Sequence, residues 1–167
     1  NVYIFNNEIK KIELEDVDIY GFGFNDFYCS NSNIENLKIE NPEKINILII
    51  HGTLNGSTSI DMQYNPMSAT MLKQKGFNYI ALGHIHKNNF RENGNIIYPG
   101  SAISLGFDEL GKHGIVVGEI NKTENKLEFI KLDETEFVEL ELDCTEINSE
   151  EELIEKINEI KIEKNKL

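Results

Sequence analysis

The sequence predicts an α/β fold for most of this 167-residue chain. Two nearly unbroken apolar runs, at residues 45–50 and 77–82, are typical of strands covered on both faces of a sheet. Between them, residues 67–75 follow Pro66 and end at Gly76, a pattern that favours a helix. A strand, a helix and a second strand in this order indicate a crossover within one sheet.

Short apolar runs before residue 45 predict further strands. Residues 2–5, 9–14 and 17–22 are rich in β-branched and aromatic side chains, which favours strands at this length. Residues 32–39 are predicted to form a short helix that ends at Pro42. The N-terminal part therefore adds strands to the same α/β arrangement.

The part of the chain after residue 95 is predicted to be mostly antiparallel. A short strand at 96–98 is followed by three more predicted strands, at 114–120, 126–132 and 137–142. The polar residues 121–125 between the first two of these have the character of a hairpin turn.

The C-terminal segment carries the signature of a helix start. Ser149 is followed by Glu152, as in a capping box, and an amphipathic pattern comes next. The change from strands to a helix predicts two domains, one spanning residues 1–132 and the start of a second spanning residues 133–167.

Composition excludes a membrane-spanning or fibrous protein. The chain is 40% hydrophobic and 27% charged, and no stretch approaches the roughly 18 apolar residues that a membrane span requires. Cys29 and Cys144 are far apart in the sequence and have no metal-binding spacing, which favours two thiols in a cytoplasmic protein. The chain begins at Asn1 without an initiating Met or a leader pattern, and we interpret it as part of a longer protein.

The net charge of -13 disfavours nucleic-acid binding, because phosphate recognition normally depends on Lys and Arg. The acidic residues are concentrated between residues 119 and 163, whereas the region around His84 is closer to balance. Such an acidic segment is typical of a solvated surface.

Three of the four histidines, His51, His84 and His86, lie at or just after predicted strand ends. Loops at the carboxyl edge of an α/β sheet converge, and imidazole is a common ligand of transition metals. Two residues apart on an extended segment, His84 and His86 are expected to point the same way, with Ile85 toward the core and Gly83 leaving room. A single histidine at a strand end is more often a packing or surface residue, so the pair carries the metal hypothesis.

The sequence around these histidines resembles the last two metal-binding motifs of calcineurin-like metallophosphoesterases. Within that group it is similar to the exonucleases of DNA double-strand-break repair, the SbcD and YhaO types, over their C-terminal part only. The stretches that carry this resemblance are Leu48–Thr53, Ala81–His86, Tyr98–Ser101, Gly106–Glu109, Lys112–Gly114 and the entry segment Asp18–Phe22.

The resemblance implies the C-terminal half of a four-layer α/β/β/α sandwich, followed by the start of a small α+β capping domain. It also implies two divalent metal ions in the complete enzyme, with Mn²⁺ expected. His51 and His84 would bind the second ion and His86 the first. The other ligands and the general-acid histidine would precede Asn1, so no catalytic residue is assigned here.

The function implied is hydrolysis of DNA phosphodiester bonds by an exonuclease or endonuclease. The expected partners are DNA, an SMC-like ATPase subunit of the SbcC or YhaN type and a second copy of the chain, with no membrane. Three histidines without a bridging carboxylate leave the metal charge uncompensated, so we expect the isolated chain to bind metal weakly and to be inactive. Two alternatives stay open: a phosphodiesterase or phosphatase of the same fold acting on small nucleotides, and a non-catalytic interaction or dimerisation module.

Six further residues are interpreted from their sequence context. His113 lies in a Lys-His-Gly turn and is expected at the surface. Tyr98 and Ser101 are more typical of a structural turn than of a substrate groove. Phe107, Asp108 and Glu109 could shape a strand-separating edge or pack under a loop, and the sequence does not decide between these.

Overall fold

The computed structural model describes residues 2–23, 29, 34–54, 64–90 and 94–161. Its main feature is a five-stranded sheet in which strand order follows chain order. The first two strands pair antiparallel and the other neighbours pair parallel, so the fold is mixed α/β. The strands are β1 (Lys10–Glu13), β2 (Val17–Phe22), β3 (Ile45–His51), β4 (Tyr79–Gly83) and β5 (Ile96–Ile97).

The predicted crossover is present between β3 and β4. It is made by α1 (Ala69–Gln74), which is shorter than predicted. The side chain of Ser68 caps its start by accepting a hydrogen bond from the Met71 amide, and Leu72 is fully buried. The predicted loop before α1 falls largely on residues 55–63, outside the described part of the chain.

The core lies on one face of the sheet. Leu48 and Ile50 of β3 and Ile80 of β4 are at most 2% exposed. Ile49 points to the opposite face and is 43% exposed, so the described residues cover that face of β3 only in part. The expectation that both faces of this strand are covered is therefore wrong within the described residues.

Two predicted strands are not strands in the structure. Residues 2–5 do not pair; instead the Phe5 ring packs on Gly21 of β2, where an added Cβ would meet it at 2.3 Å. Residues 137–142 also form no strand, and Leu140 is 54% exposed. In both segments the apolar composition is that of a strand, but composition alone does not supply a pairing partner.

The predicted helix over residues 32–39 is only a short 3₁₀ turn at Ile34–Asn36 within the described residues, and residues 32 and 33 lie outside them. The hairpin is confirmed as β6 (Gly114–Ile120) paired antiparallel with β7 (Asn125–Lys131). In its turn the Asn121 side-chain oxygen accepts from the Thr123 and Glu124 amides, as expected for an asparagine turn.

The predicted C-terminal helix is α2 (Glu150–Asn158). Ser149 caps it by accepting from the Glu152 amide at 3.2 Å. The Glu152 carboxylate reaches back to the Asn148 amide at 2.8 Å, one residue beyond the usual capping box. The domain boundary at residue 133, the four-layer sandwich and the capping domain stay predictions. In the described part of the chain, no helix has the length and apolar character needed to cross a membrane.

A buried carboxylate ties β2 to the strands beside it. Asp18 is completely buried and accepts a hydrogen bond from the Asn41 amide group at 2.7 Å. Its oxygens also lie 3.5 Å from Lys44 Nζ and 3.7 Å from Lys11 Nζ. Burial alone would raise the pKa of this carboxyl, but the Asn41 hydrogen bond and the two ammonium groups outweigh it and hold the pKa below its ordinary value.

Replacing Asp18 by asparagine is expected to lower the free energy of unfolding at neutral pH by about 2 kcal/mol, because charge-assisted contacts are lost. Since the folded-state pKa is lowered, the native contribution is present above the unfolded value of about 3.9 and disappears as pH falls through the folded-state pKa. Urea denaturation at a series of pH values should therefore show the deficit shrinking in acid. Glu43→Gln, which removes an exposed charge nearby, is the control. A deficit that does not change with pH would contradict this role.

Candidate metal centre

Two of the predicted ligands meet at the carboxyl ends of neighbouring parallel strands. His51 is the last residue of β3 and pairs in register with Gly83, the last residue of β4. His84 follows directly, and the centroids of the two imidazole rings are 5.1 Å apart at an interplanar angle of 64°. The sheet register therefore brings His51 and His84 to one point at the edge where α/β proteins commonly hold ligands.

Gly83 leaves the space that the His51 ring occupies. A Cβ added to Gly83 would lie 2.8 Å from His51 Nδ1, closer than real contacts allow. The strand ends are also joined by a backbone hydrogen bond from Gly52 to the Gly83 carbonyl at 3.1 Å. The prediction that a glycine here makes room in the site is supported by this contact, although the group it makes room for is an imidazole of the same chain.

The backbone at His84 differs from the extended conformation that the sequence suggested. β4 ends at Gly83, and His84 has φ +105°, a region that residues with a side chain rarely adopt. Ile85, expected to face the core, is 37% exposed. The rule that residues i and i+2 point the same way applies only to extended chain, so it does not apply to His84 and His86.

The environment of His51 favours neutral imidazole. The pKa of His51 lies below its ordinary value, chiefly because the ring is partly buried and secondly because His84 is close. Tyr64 adds a third ring beside the pair, with its centroid 5.0 Å from that of His84. Neutral imidazole is the form that binds a metal ion, so this surrounding suits a ligand.

His86 points elsewhere in the structure. Its side chain is 62% exposed, and Nδ1 contacts a carboxylate oxygen of Glu109. The pKa of the Glu109 carboxyl is lowered, mainly by this contact with His86 and next by the hydrogen bond from the Leu105 amide. The structure thus brings His51 and His84 together and engages His86 with Glu109.

The described residues fit a divalent ion in part. Two imidazoles converge, and nitrogen ligands suit Zn and Mn class metals. In the ranges that the structure describes, no group of at least three His, Cys, Asp or Glu side chains is arranged to hold an ion. His51 and His84 would therefore form one side of such a site, and the assignment of His86 to it stays a prediction.

The structure corrects the interpretation of His113. It is 3% exposed rather than at the surface. Its Nδ1 lies 2.7 Å from Ser101 Oγ, and its Nε2 lies 3.1 Å from the backbone oxygen of Glu109. The Lys-His-Gly pattern has the composition of a turn, and only the fold shows that Ser101, twelve residues earlier, closes over it.

Tyr98 has a structural role in supporting the loop after β3. It is 4% exposed, its hydroxyl donates to the Gly52 carbonyl at 2.6 Å, and it accepts from the Leu54 amide at 2.9 Å. Burial raises the pKa of Tyr98 to about 12, so the hydroxyl keeps the proton that it donates. The structural interpretation of Tyr98 is favoured over the substrate groove, because its polar atom is used within the protein.

Comparison with known proteins gives a distant relationship. No family model matches the chain. The chain is 27% identical over 154 residues to the uncharacterized metallophosphoesterase YhaO of Bacillus subtilis (strain 168), an alignment that covers 87% of this chain and 38% of YhaO. This similarity supports a metallophosphoesterase family. A second match, 35% identical over 82 residues, is to the uncharacterized protein R555 of Acanthamoeba polyphaga mimivirus and covers 47% of this chain and 6% of that protein.

The match to YhaO agrees with the chemistry at the strand ends. The metallophosphoesterase family implies divalent metal ions, and the converging imidazoles are suitable ligands for them. The chain spans less than two fifths of the length of YhaO and a small part of R555. The activity, substrate and partners of the whole protein are therefore proposed below on the basis of the site.

Proposed function

We propose that this chain is part of a two-metal phosphoesterase that hydrolyses DNA phosphodiester bonds in repair, with Mn²⁺ as its metal. The observation that carries the proposal is the convergence of His51 and His84 at 5.1 Å on neighbouring strand ends, in a chain similar to a metallophosphoesterase over 87% of its length. Bound divalent ions would polarise a phosphoryl oxygen and lower the pKa of a bound water.

The residues of this chain contribute binding and orientation. His51 and His84 would hold one ion, with β3 and β4 fixing the separation of their backbones through the register of His51 with Gly83. Tyr98 and Gly52 hold the chain that leaves β3, which limits movement of His51. His86 would bind the other ion, the first of the pair, from the loop after His84. The remaining ligands and a general-acid histidine are expected from residues outside this chain.

DNA as the substrate is supported by the stretches Tyr98–Ser101 and Gly106–Glu109, which resemble those of repair exonucleases. The partners we propose are DNA, an SMC-like ATPase and a second copy of the chain. The net charge of -13 favours a second candidate, a phosphodiesterase or phosphatase acting on a small nucleotide, because a small substrate needs fewer phosphate contacts.

The proposal is tested by comparing substrates with the same enzyme preparation. The protein expressed from its complete reading frame is incubated with Mn²⁺ and duplex DNA, bis(p-nitrophenyl) phosphate or a cyclic nucleotide. We expect cleavage of DNA by that protein and none above background by the 167-residue chain alone. Cleavage of the small esters without DNA would favour the second candidate, and no cleavage of any substrate would favour a non-catalytic interaction module.

A further inference from the structure

We infer that Glu109 is a positioning residue for His86, which it holds with the proton on Nδ1 and the lone pair on Nε2. The inference rests on the proposed function only in taking a metal ion as the partner of that lone pair. It assigns a role to a residue for which the sequence left two interpretations open, a strand-separating edge and packing under a loop.

The carboxylate of Glu109 is fixed on both oxygens. One oxygen contacts His86 Nδ1. The other accepts from the Leu105 amide at 3.1 Å and lies 3.3 Å from Ser101 Oγ. The side chain is 11% exposed although it meets a histidine that is 62% exposed. A carboxylate on the open surface would rotate freely and orient its partner weakly, whereas this one is held from within the protein.

The backbone of the loop that carries Glu109 is also fixed, by a hydrogen bond from His113. The buried His113 donates from Nε2 to the Glu109 carbonyl, because a carbonyl oxygen can only accept. Its Nδ1 meets Ser101 Oγ, and the Ser101 amide donates to the His86 carbonyl at 2.9 Å. These contacts link the backbone of His86, the side chain of Ser101 and the backbone of Glu109 into one unit.

The tautomer of His86 follows from the acceptor character of its partner. An ionised carboxylate has no hydrogen to donate, so the nitrogen that faces it must carry one. Neutral imidazole has a single N–H, and the other nitrogen, Nε2, then presents a lone pair. Histidine ligands of metals are commonly oriented by such a carboxylate, which fixes the tautomer and makes the ligand nitrogen more basic.

The first measurement needs no substitution. Long-range ¹H–¹⁵N correlation spectra of the metal-free 167-residue chain, at mildly alkaline pH, report which nitrogen of His86 is protonated. We expect the proton on Nδ1, and in Glu109→Ala we expect that preference to be lost. A proton on Nε2 in the unaltered chain would overturn the inference, even if the alanine variant failed to fold.

The second measurement titrates Mn²⁺ or Zn²⁺ by calorimetry into the protein expressed from its complete reading frame, which supplies the ligands expected from outside this chain. Glu109→Ala should weaken binding about 10- to 100-fold, as removal of an orienting carboxylate does at metal sites. Asp108→Asn, which removes a neighbouring exposed charge, should leave the affinity unchanged. Equal affinity in the unaltered chain and Glu109→Ala would overturn the inference. If neither metal binds the unaltered protein from its complete reading frame while His86 shows the expected tautomer, the positioning by Glu109 stands and the proposed function fails.

Discussion

In the protein from its complete reading frame, replacing His84 by alanine is expected to weaken Mn²⁺ or Zn²⁺ binding by more than about 100-fold, because loss of a ligand costs more than loss of a residue that orients one. Hydrolysis by the protein from its complete reading frame should fall at least as far. Lys87→Ala, in the same loop, is the control and should leave both unchanged. Calorimetric titration and the DNA cleavage assay measure the two effects.

Replacing His84 by glycine separates the loss of function from any loss of stability. His84 has φ +105°, which costs a residue with a side chain about 1–3 kcal/mol and costs glycine almost nothing. His84→Gly should therefore lose metal binding as His84→Ala does, yet unfold at a higher urea concentration than the alanine variant. A glycine variant that binds metal like the unaltered chain would show that His84 is not a ligand.

The strained backbone explains why sequence reasoning located His84 but misjudged its direction. The apolar runs identified β3 and β4 because buried parallel strands require such composition, and the helix between them indicated their crossover. Adjacent parallel strands then place His51 and His84 at one edge, as predicted. The φ of His84 is set by how the chain leaves β4, and no local pattern encodes that departure.

The role of Glu109 was hidden for a related reason. Its partners His86, Ser101 and His113 are each separated from it in the sequence by residues that take no part, and their contacts depend on the path of the loop between β5 and β6. The same dependence on tertiary context accounts for residues 2–5 and 137–142. Apolar composition marks them as strand-like, but pairing requires a free neighbouring edge in register.

Gly83→Ala is expected to weaken metal binding about 10- to 100-fold without removing any ligand. The added methyl group would lie 2.8 Å from His51 Nδ1, so the imidazole must leave its present position beside Gly83, which disturbs its arrangement with His84. Because His51 and Gly83 are paired in register, the strands cannot shift separately to relieve the contact. Overpacking of this kind lowers the free energy of unfolding by about 1–3 kcal/mol.

Gly94→Ala provides a control matched in stability rather than in position. Gly94 has φ +68°, and a Cβ added there would meet no described residue within 4 Å, so alanine adds backbone strain without touching either histidine. Both variants should unfold at lower urea concentration, but only Gly83→Ala should lose metal affinity and DNA cleavage. If Gly83→Ala binds Mn²⁺ and Zn²⁺ as tightly as Gly94→Ala does, the position of the His51 ring beside Gly83 is not the one that binds metal. The convergence of His51 and His84 would then not support a metal site.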